Sequence, residues 1–389
     1  MNALGHIRFD AIRWWREIDH VIFMIAGALL AAGFIVALAS SPSAAARNNV
    51  SDPFYYFWRQ GGFVLMGALL TLGMSTLDNR GVRRMAAIMF ALALIFMIVV
   101  LVFGEPVNGA KRWIDFGPFS LQPVELLKPG LVILIAVLFA RPPAKGRENA
   151  ILISTLASLS LFGLAALLLL SQPDVGQTIV CFAVLLAMFL LAGVPLIWLG
   201  GLAGIATIFG GLFYLLFPHV QNRVNAFFNP APGDGYQLQK AQEAIADGGL
   251  LGKGPGEGAV KMSLPEAHTD FAFSVAAEEF GLIALLIIIG LFGALCVRGL
   301  AQARRLQDSF AQLAASGLFC LVGLEAALNI AVNLAMVPPK GLALPFISYG
   351  GSSMLGVSLT IGMALALTRK RPGAYERAHP VTSAKKAPA

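Results

Sequence analysis

The chain has 389 residues, of which 57% are hydrophobic and only 13% charged, and its formal net charge is +7. Soluble domains carry roughly 25% charged residues, so this composition excludes a water-soluble globule of this size. The positive balance sits in short segments between apolar runs, where it reports membrane topology rather than a nucleic-acid partner.

Residues 1–19 form a cytoplasmic segment with Arg8, Arg13, Arg16 and a Trp14-Trp15 pair. It has no convincing small-residue cleavage site, so no cleavable signal is expected. Apolar runs follow at 21–39, 85–103, 151–170, 271–297 and 318–336, with a shorter one at 179–191. A helix needs about 20 apolar residues to cross the hydrocarbon core. With the stretches between them, these runs predict an all-α polytopic membrane protein with about ten transmembrane helices over 20–368.

Arg80, Arg83 and Arg84, then Arg141, Lys145 and Arg147, then Arg298, Arg304 and Arg305, fall in alternate connections. By the positive-inside rule these connections and both termini are cytoplasmic. The basic stretch 369–389 is then a cytoplasmic tail, expected to be disordered beyond Pro372. Cys181, Cys296 and Cys320 lie in apolar runs without metal-ligand spacing and read as packing residues.

Three outward connections carry most of the Gly, Pro and polar punctuation. The first, 103–122, holds Asn108, Gly109, Lys111, Arg112, Trp113 and Asp115. The second is a large extracytoplasmic loop, 218–270, between spans 7 and 8. A loop this long is usually functional or disordered. It contains YQLQKAQEAIA at 236–246, a short amphipathic helix, and then GGLLGKGPGEG at 248–258. The third, 337–353, reads VPPKGLALPFISYGGSS. That asymmetry points the chemistry outward.

The Gly-rich stretch is not a P-loop, because Lys253 is followed by Gly254 and the glycine spacing is wrong. No strand precedes it, which excludes a dinucleotide fold. It reads either as a flexible loop or as a place where backbone closely approaches a bulky substrate. Ionisable residues in apolar runs cost roughly 2.5–3.5 kcal/mol at a helix centre, so each is a functional hypothesis. Here they are Glu125, Lys128, Glu278, Glu279 and Glu325.

Glu125 and Lys128, three apart on one helical face, read as an ion pair, as the lining of a polar cavity, or as both. Asp270 just precedes a long apolar run. Position alone favours a helix N-cap there over a general base at the membrane surface. His268, two residues earlier, reads as structural more readily than as a ligand, and no His/Cys/carboxylate set has zinc spacing.

Several motifs occur in order: NGAKRWI (108–114), QPVELLKP (122–129), SQPDVGQT (171–178), YQLQKAQEAI, GGLLGKGPGEG, LPEAHTDFAF (264–273) and LPFISYGGSS (344–353). Together they resemble the SEDS family, which includes FtsW, RodA and SpoVE, over nearly the whole chain. The double-Trp entrance, GEG at 256–258 and PPKGLALPFISYGGSS are most similar to the FtsW branch. Val124 departs from the pattern, which usually has Ser there, and puts a hydroxyl contact in doubt.

The resemblance implies polymerisation of lipid II into glycan strands at the outer face of the cytoplasmic membrane, at the division septum. It matches Asp270 to the family's essential aspartate, here expected to act as base. Glu125 and Lys128 match its membrane-cavity pair, and Arg112 and Trp113 its outer-loop polar-aromatic site. Lys111, His268, Ser348 and Tyr349, in the matched motifs, complete the expected substrate-binding set. Lys128 with Lys111 or Arg112 would hold pyrophosphate. A divalent cation, Mg²⁺ or Mn²⁺, is an alternative, although no cage is legible.

The implied partners are a class B penicillin-binding protein, the septal transpeptidase, with other division proteins, the undecaprenyl carrier and membrane lipid. The rival readings are a lipid II flippase or other transporter, a RodA-like elongation polymerase, and a non-catalytic division scaffold.

Overall fold

The computed structural model describes residues 11–106, 110–117, 119–140, 147–216, 235–338 and 341–370, with single positions at 221, 225 and 227. The expected contributions of Arg8, Asn108, Gly109, Arg141 and Lys145, of 228–234 in the large loop, and of the tail beyond Lys370 lie outside the described residues.

Among the described residues are twelve helices and one two-residue strand pair. The first three are α1 (Ala11–Glu17), α2 (His20–Arg47) and α3 (Tyr55–Ser75); α4 (Asn79–Phe103) then leads to the strands. Strands β1 (Ile114–Asp115) and β2 (Ser120–Leu121) pair antiparallel, Ile114 opposite Leu121. Then come α5 (Val124–Phe139), α6 (Arg147–Ser171), α7 (Val175–Leu191) and α8 (Leu196–Leu216). The expected amphipathic helix is present as α9 (Tyr236–Gly248), and a single 3-10 turn covers Val260–Met262. The chain finishes with α10 (Ala272–Ala303), α11 (Ser309–Asn333) and α12 (Gly351–Thr368).

Seven helices, namely α2, α4, α6, α8, α10, α11 and α12, are long and apolar enough to cross a membrane, and α7 is a shorter apolar helix. The protein is therefore an all-α polytopic membrane protein. The expected ten is reached only by counting α3, α5 and α7 as spans as well. Helices suit a bilayer because every backbone group is satisfied within the segment.

The core lies between α3, α5, α11 and α12, and all but two of α12's residues are buried. Small residues allow this close approach: Gly67 abuts Ser358 and Met354, and Gly362 abuts the backbone of Thr71. By contrast, α8 has no buried residue among its described positions.

Four aspartates fix helix starts. Asp19 accepts from Val21 and Ile22 N–H, Asp78 from Gly81 (2.7 Å), Asp174 from Gln177 (3.2 Å) and Asp308 from Phe310 (3.2 Å). Such caps satisfy N–H groups that have no intrahelical partner.

One end of the bundle collects cations. Arg298 pairs with Asp19 at 2.8 Å, Arg83 stacks over the Phe310 ring, and Arg304 and Arg305 follow α10. By the positive-inside rule this is the cytoplasmic end. The opposite end carries the strand pair, α9, the Gly-rich segment and the loop before α12.

The apolar run 271–297 is not one continuous span. Gly281 has φ +78°, ψ −178° and breaks α10. The break frees backbone groups that the Gly-rich segment then satisfies. Lys253 and Gly254 N–H donate to the Glu278 and Glu279 carbonyls, and Leu282 N–H donates to the Gly249 carbonyl. A broken helix at membrane depth is tolerated only where neighbours take up the freed groups in this way. Glu278 and Glu279 therefore belong to a short outer half-helix, not to the middle of a span.

Candidate active site at the outer end

Asp270 does not cap α10, contrary to what its position favours. The cap residue is Phe271, and no side chain bonds the first turn. The reason is that the Asp270 backbone is held from the other side. Its carbonyl accepts from Asn329 and Asn333 Nδ2 of α11, each at 3.0 Å. Asn333 also accepts at Oδ1 from Ser274 Oγ (2.7 Å), locking the start of α10 to α11. The carboxylate is left half-buried, with no hydrogen bond or ion pair among the described residues. Burial, reinforced by the neighbouring Glu266, pushes its pKa up to about 7. Glu266 sits at φ +53° and its carboxylate accepts from Thr269 Oγ1 at 2.7 Å. Left-handed backbone in a non-glycine residue stores strain, which tends to cluster at functional sites.

One helical turn along α11 from Asn329 lies Glu325, about 6 Å of rise away. Glu325 pairs with Lys128, and Lys128 also pairs with Glu125 at 2.8 Å. The expected Glu125–Lys128 pair is thus present and has a second carboxylate. Glu125 and Lys128 are 7% and 5% exposed. Gln177 of α7 donates to Glu125 at 3.3 Å, and Gly356 of α12 packs directly on the Glu125 side chain.

The polar chain continues outward. Asp174 accepts from Gln177 N–H and from Gln122 Nε2 (3.2 Å), and Arg112 Nε lies 3.8 Å from its carboxylate. Arg112 also donates to the Gln172 carbonyl (3.2 Å) and to the Pro173 carbonyl. Arg112 and the buried pair are therefore joined on one line of polar contacts through Asp174 and Gln177, about fifty residues further along the chain.

The other expected residues fall into two groups. Lys111 Nζ reaches the Leu101 carbonyl at 3.5 Å, and Trp113 is 37% exposed on the outer loop. Neither contacts Asp270 among the described residues. His268 and Tyr349 meet: Tyr349 N–H donates to the His268 carbonyl (2.8 Å), and their rings stand 5.4 Å apart with Tyr56 against both. Burial lowers the His268 pKa from its ordinary value and pushes Tyr349 up to about 12, so both are neutral aromatic surface beside Asp270. Ser348 is buried, and its hydroxyl accepts from Leu344 N–H at 2.8 Å, closing its own loop.

The Gly-rich segment is neither loose nor aimed at a ligand. Its glycines approach the protein's own chain: Gly248 meets the Ala277 carbonyl, Gly252 the Glu279 carbonyl and Gly258 the Glu278 carboxyl. Glu278 accepts from Val260 and Lys261 N–H (2.6 and 2.8 Å), and Glu279 accepts from Gly256 and Gly258 N–H and pairs with Lys261. Lys261 also donates to the Ala39 carbonyl of α2 at 3.1 Å.

Lys261, Asp174, Gln177, Asn329 and Asn333 were not singled out from the sequence. The two asparagines, four apart in an apolar run, carried a visible signal, because polar side chains in a span need partners. Nothing local marks Lys261, whose partner lies on another element.

The chain matches the FtsW/RodA/SpoVE cell cycle protein family over residues 19–372. It is 46% identical over 362 residues to the probable peptidoglycan glycosyltransferase FtsW of Caulobacter vibrioides, covering 93% of this chain and 92% of that one. To the protein of the same name from Trichlorobacter lovleyi it is 36% identical over 358 residues, covering 90% and 93%. Among solved structures it resembles a chain of a peptidoglycan synthase complex with a TM-score of 0.74 at 29% identity, covering 90% of this chain and 97% of that one. It also resembles the rod shape determining protein RodA of Thermus thermophilus, with a TM-score of 0.61 at 27% identity, covering 91% and 97%. On sequence and fold together, the chain belongs to the FtsW/RodA/SpoVE family.

Proposed function

We propose that the chain is a peptidoglycan glycosyltransferase that polymerises lipid II into glycan strands at the outer face of the cytoplasmic membrane. The observation that carries this reading is the Asp270 carboxylate. It is half-buried, without a partner among the described residues, and its backbone is pinned by Asn329 and Asn333. A pKa pushed up to about 7 suits a base working near neutrality.

The acceptor's 4-hydroxyl gives its proton to Asp270 as its oxygen bonds the donor's anomeric carbon with inversion. The bond from that carbon to pyrophosphate breaks, and undecaprenyl pyrophosphate leaves with the electron pair. A positioned base contributes about 10²–10⁴ in rate, and cations near the departing pyrophosphate stabilise the charge that develops. The charge of Lys128 is already held between Glu125 and Glu325. Its part is therefore to keep the interior between α5 and α11 polar, while Lys111 and Arg112 on the outer loop supply positive charge to pyrophosphate. Trp113 and the His268–Tyr349 pair offer ring faces to the sugars. Among the described residues no three His, Cys, Asp or Glu side chains converge on one point. The steps above are therefore carried by the chain's own side chains, and none is routed through a divalent cation.

The likeness to a chain of a peptidoglycan synthase complex supports a penicillin-binding transpeptidase as partner. The FtsW relatives support work at the division septum. A lipid II flippase is the second reading, favoured by the charged Glu125–Lys128–Glu325 group inside the bundle. The test is strand synthesis from lipid II by the purified protein with its transpeptidase partner. Long strands that Asp270→Asn fails to make support the polymerase. No strands from wild type, with lipid II crossing liposome membranes, overturns it in favour of the flippase.

A further inference from the structure

At the cationic end of the bundle a cavity of about 380 Å³ opens between the ends of α7 and α10. Its floor is one stripe of α11 carrying Ser309, Gln312 and Ser316, and its walls include Phe139 of α5 and Leu300 of α10. Arg304 stands at its rim. Pockets of roughly 300–1,000 Å³ hold small molecules or part of a larger one.

Ser316 is 4% exposed, lines this cavity, and its hydroxyl makes no hydrogen bond among the described residues. Ser158, Ser160 and Ser171 of α6 instead bond the carbonyl four residues back. The Ser316 side chain is thus buried as a whole but keeps its hydroxyl free to bond whatever fills the cavity that it lines. Charge points the same way. At this end Asp19 and Glu17 are paired with arginines, and Asp308 accepts from Phe310 N–H and from Asn79 (2.8 Å). Arg304 is exposed and has no ion pair among the described residues.

We propose that this cavity binds an anionic phospholipid of the cytoplasmic leaflet. The phosphate sits on the Arg304 guanidinium with Ser309 and Gln312, at the level where that leaflet presents its negative charge. Ser316, about 10 Å further along α11, donates to an ester carbonyl of the glycerol backbone. The acyl chains leave past Phe139 and Leu300 into the bilayer.

Full-length protein is titrated with phosphatidylglycerol or phosphatidylcholine in detergent, and bound lipid is counted by native mass spectrometry. Wild type is expected to retain phosphatidylglycerol selectively. Arg304→Gln should hold it roughly ten-fold more weakly, the loss of one charged hydrogen bond. Ser316→Leu, which fills the cavity, should hold neither lipid, and Ser316→Ala, which keeps the volume, should weaken retention without abolishing it. Equal retention of the two lipids by wild type overturns the proposal. So does phosphatidylglycerol retention unchanged in Arg304→Gln and Ser316→Ala, or displacement of the lipid by free glycerol phosphate at equal concentration.

Discussion

The molecule holds two groups of charged residues near its outer half, and they are built in opposite ways. In the first, Glu278, Glu279 and Lys261 are almost wholly buried, at 0%, 0% and 2% exposed. Both carboxylates receive backbone N–H donors, and the lysine joins Glu279 to α2. In the second, two carboxylates share one lysine, Gln177 Oε1 has no donor among the described residues, and Asn329, one turn further along α11, holds the Asp270 carbonyl while the Asp270 carboxylate has no partner among the described residues. Native structures satisfy nearly all buried polar groups. A saturated group therefore reads as a fastening for the Gly-rich segment and the break in α10, and an unsaturated one as a place awaiting a ligand. As ionisable residues in apolar runs, Glu278 and Glu279 were indistinguishable from Glu125, Lys128 and Glu325, and only the family resemblance set Glu125, Lys128 and Asp270 apart.

Substitution can break this comparison, and the largest effect is expected in the saturated group. Lys261→Met leaves Glu279 buried without its cation and should lower stability by about 3–5 kcal/mol, read as a fall in the melting temperature of the purified protein. Gly281→Ala should come next. A Cβ there would run into the Gly252 nitrogen and the Leu250 carbonyl, and the positive φ disfavours any side chain. It should cost about 1–3 kcal/mol and show as faster proteolysis of the large loop. Asn333→Ala removes a hold on Asp270 and the partner of Ser274, costing about 1–3 kcal/mol. It should also cut polymerisation more than that stability loss explains, because Asp270 loses its position.

The smallest effect is one of pH. As a base Asp270 must be ionised, so activity should rise with pH through about 7. Glu266→Gln removes a neighbouring negative charge and should move that rising limb to lower pH. A limb that stays in place would leave burial as the whole cause.

The apolar runs made the polytopic helical class legible, and α9 fell where YQLQKAQEAIA placed it. The break at Gly281 was not legible, because a single glycine inside an apolar run has the same composition whether or not the helix continues. Its consequence, that GGLLGKGPGEG supplies hydrogen bonds to the protein's own helix, depends on contacts across the loop. At the site, the Glu125–Lys128 spacing disclosed its own ion pair. Glu325 entered from α11, Asp174 and Gln177 from the next connection, and no local pattern joins them. Asp270 was visible as a residue, but the cap that its position alone favours is not formed. The asparagines that hold its carbonyl lie about sixty residues away, and only the fold brings them there.

The central claim is that Asp270 is kept for chemistry and not for structure. Ionising it costs the folded state, since its pKa is raised there, so stability falls as pH climbs from about 4 to about 7. The direct test measures glycan strands from lipid II and the melting temperature at pH 8 on the same preparations of wild type and Asp270→Asn. The account predicts that the variant melts at or above the wild-type temperature while strand synthesis falls by about 10²-fold or more. A variant that still makes strands at the wild-type rate, or one that loses them only because it no longer folds, would contradict it.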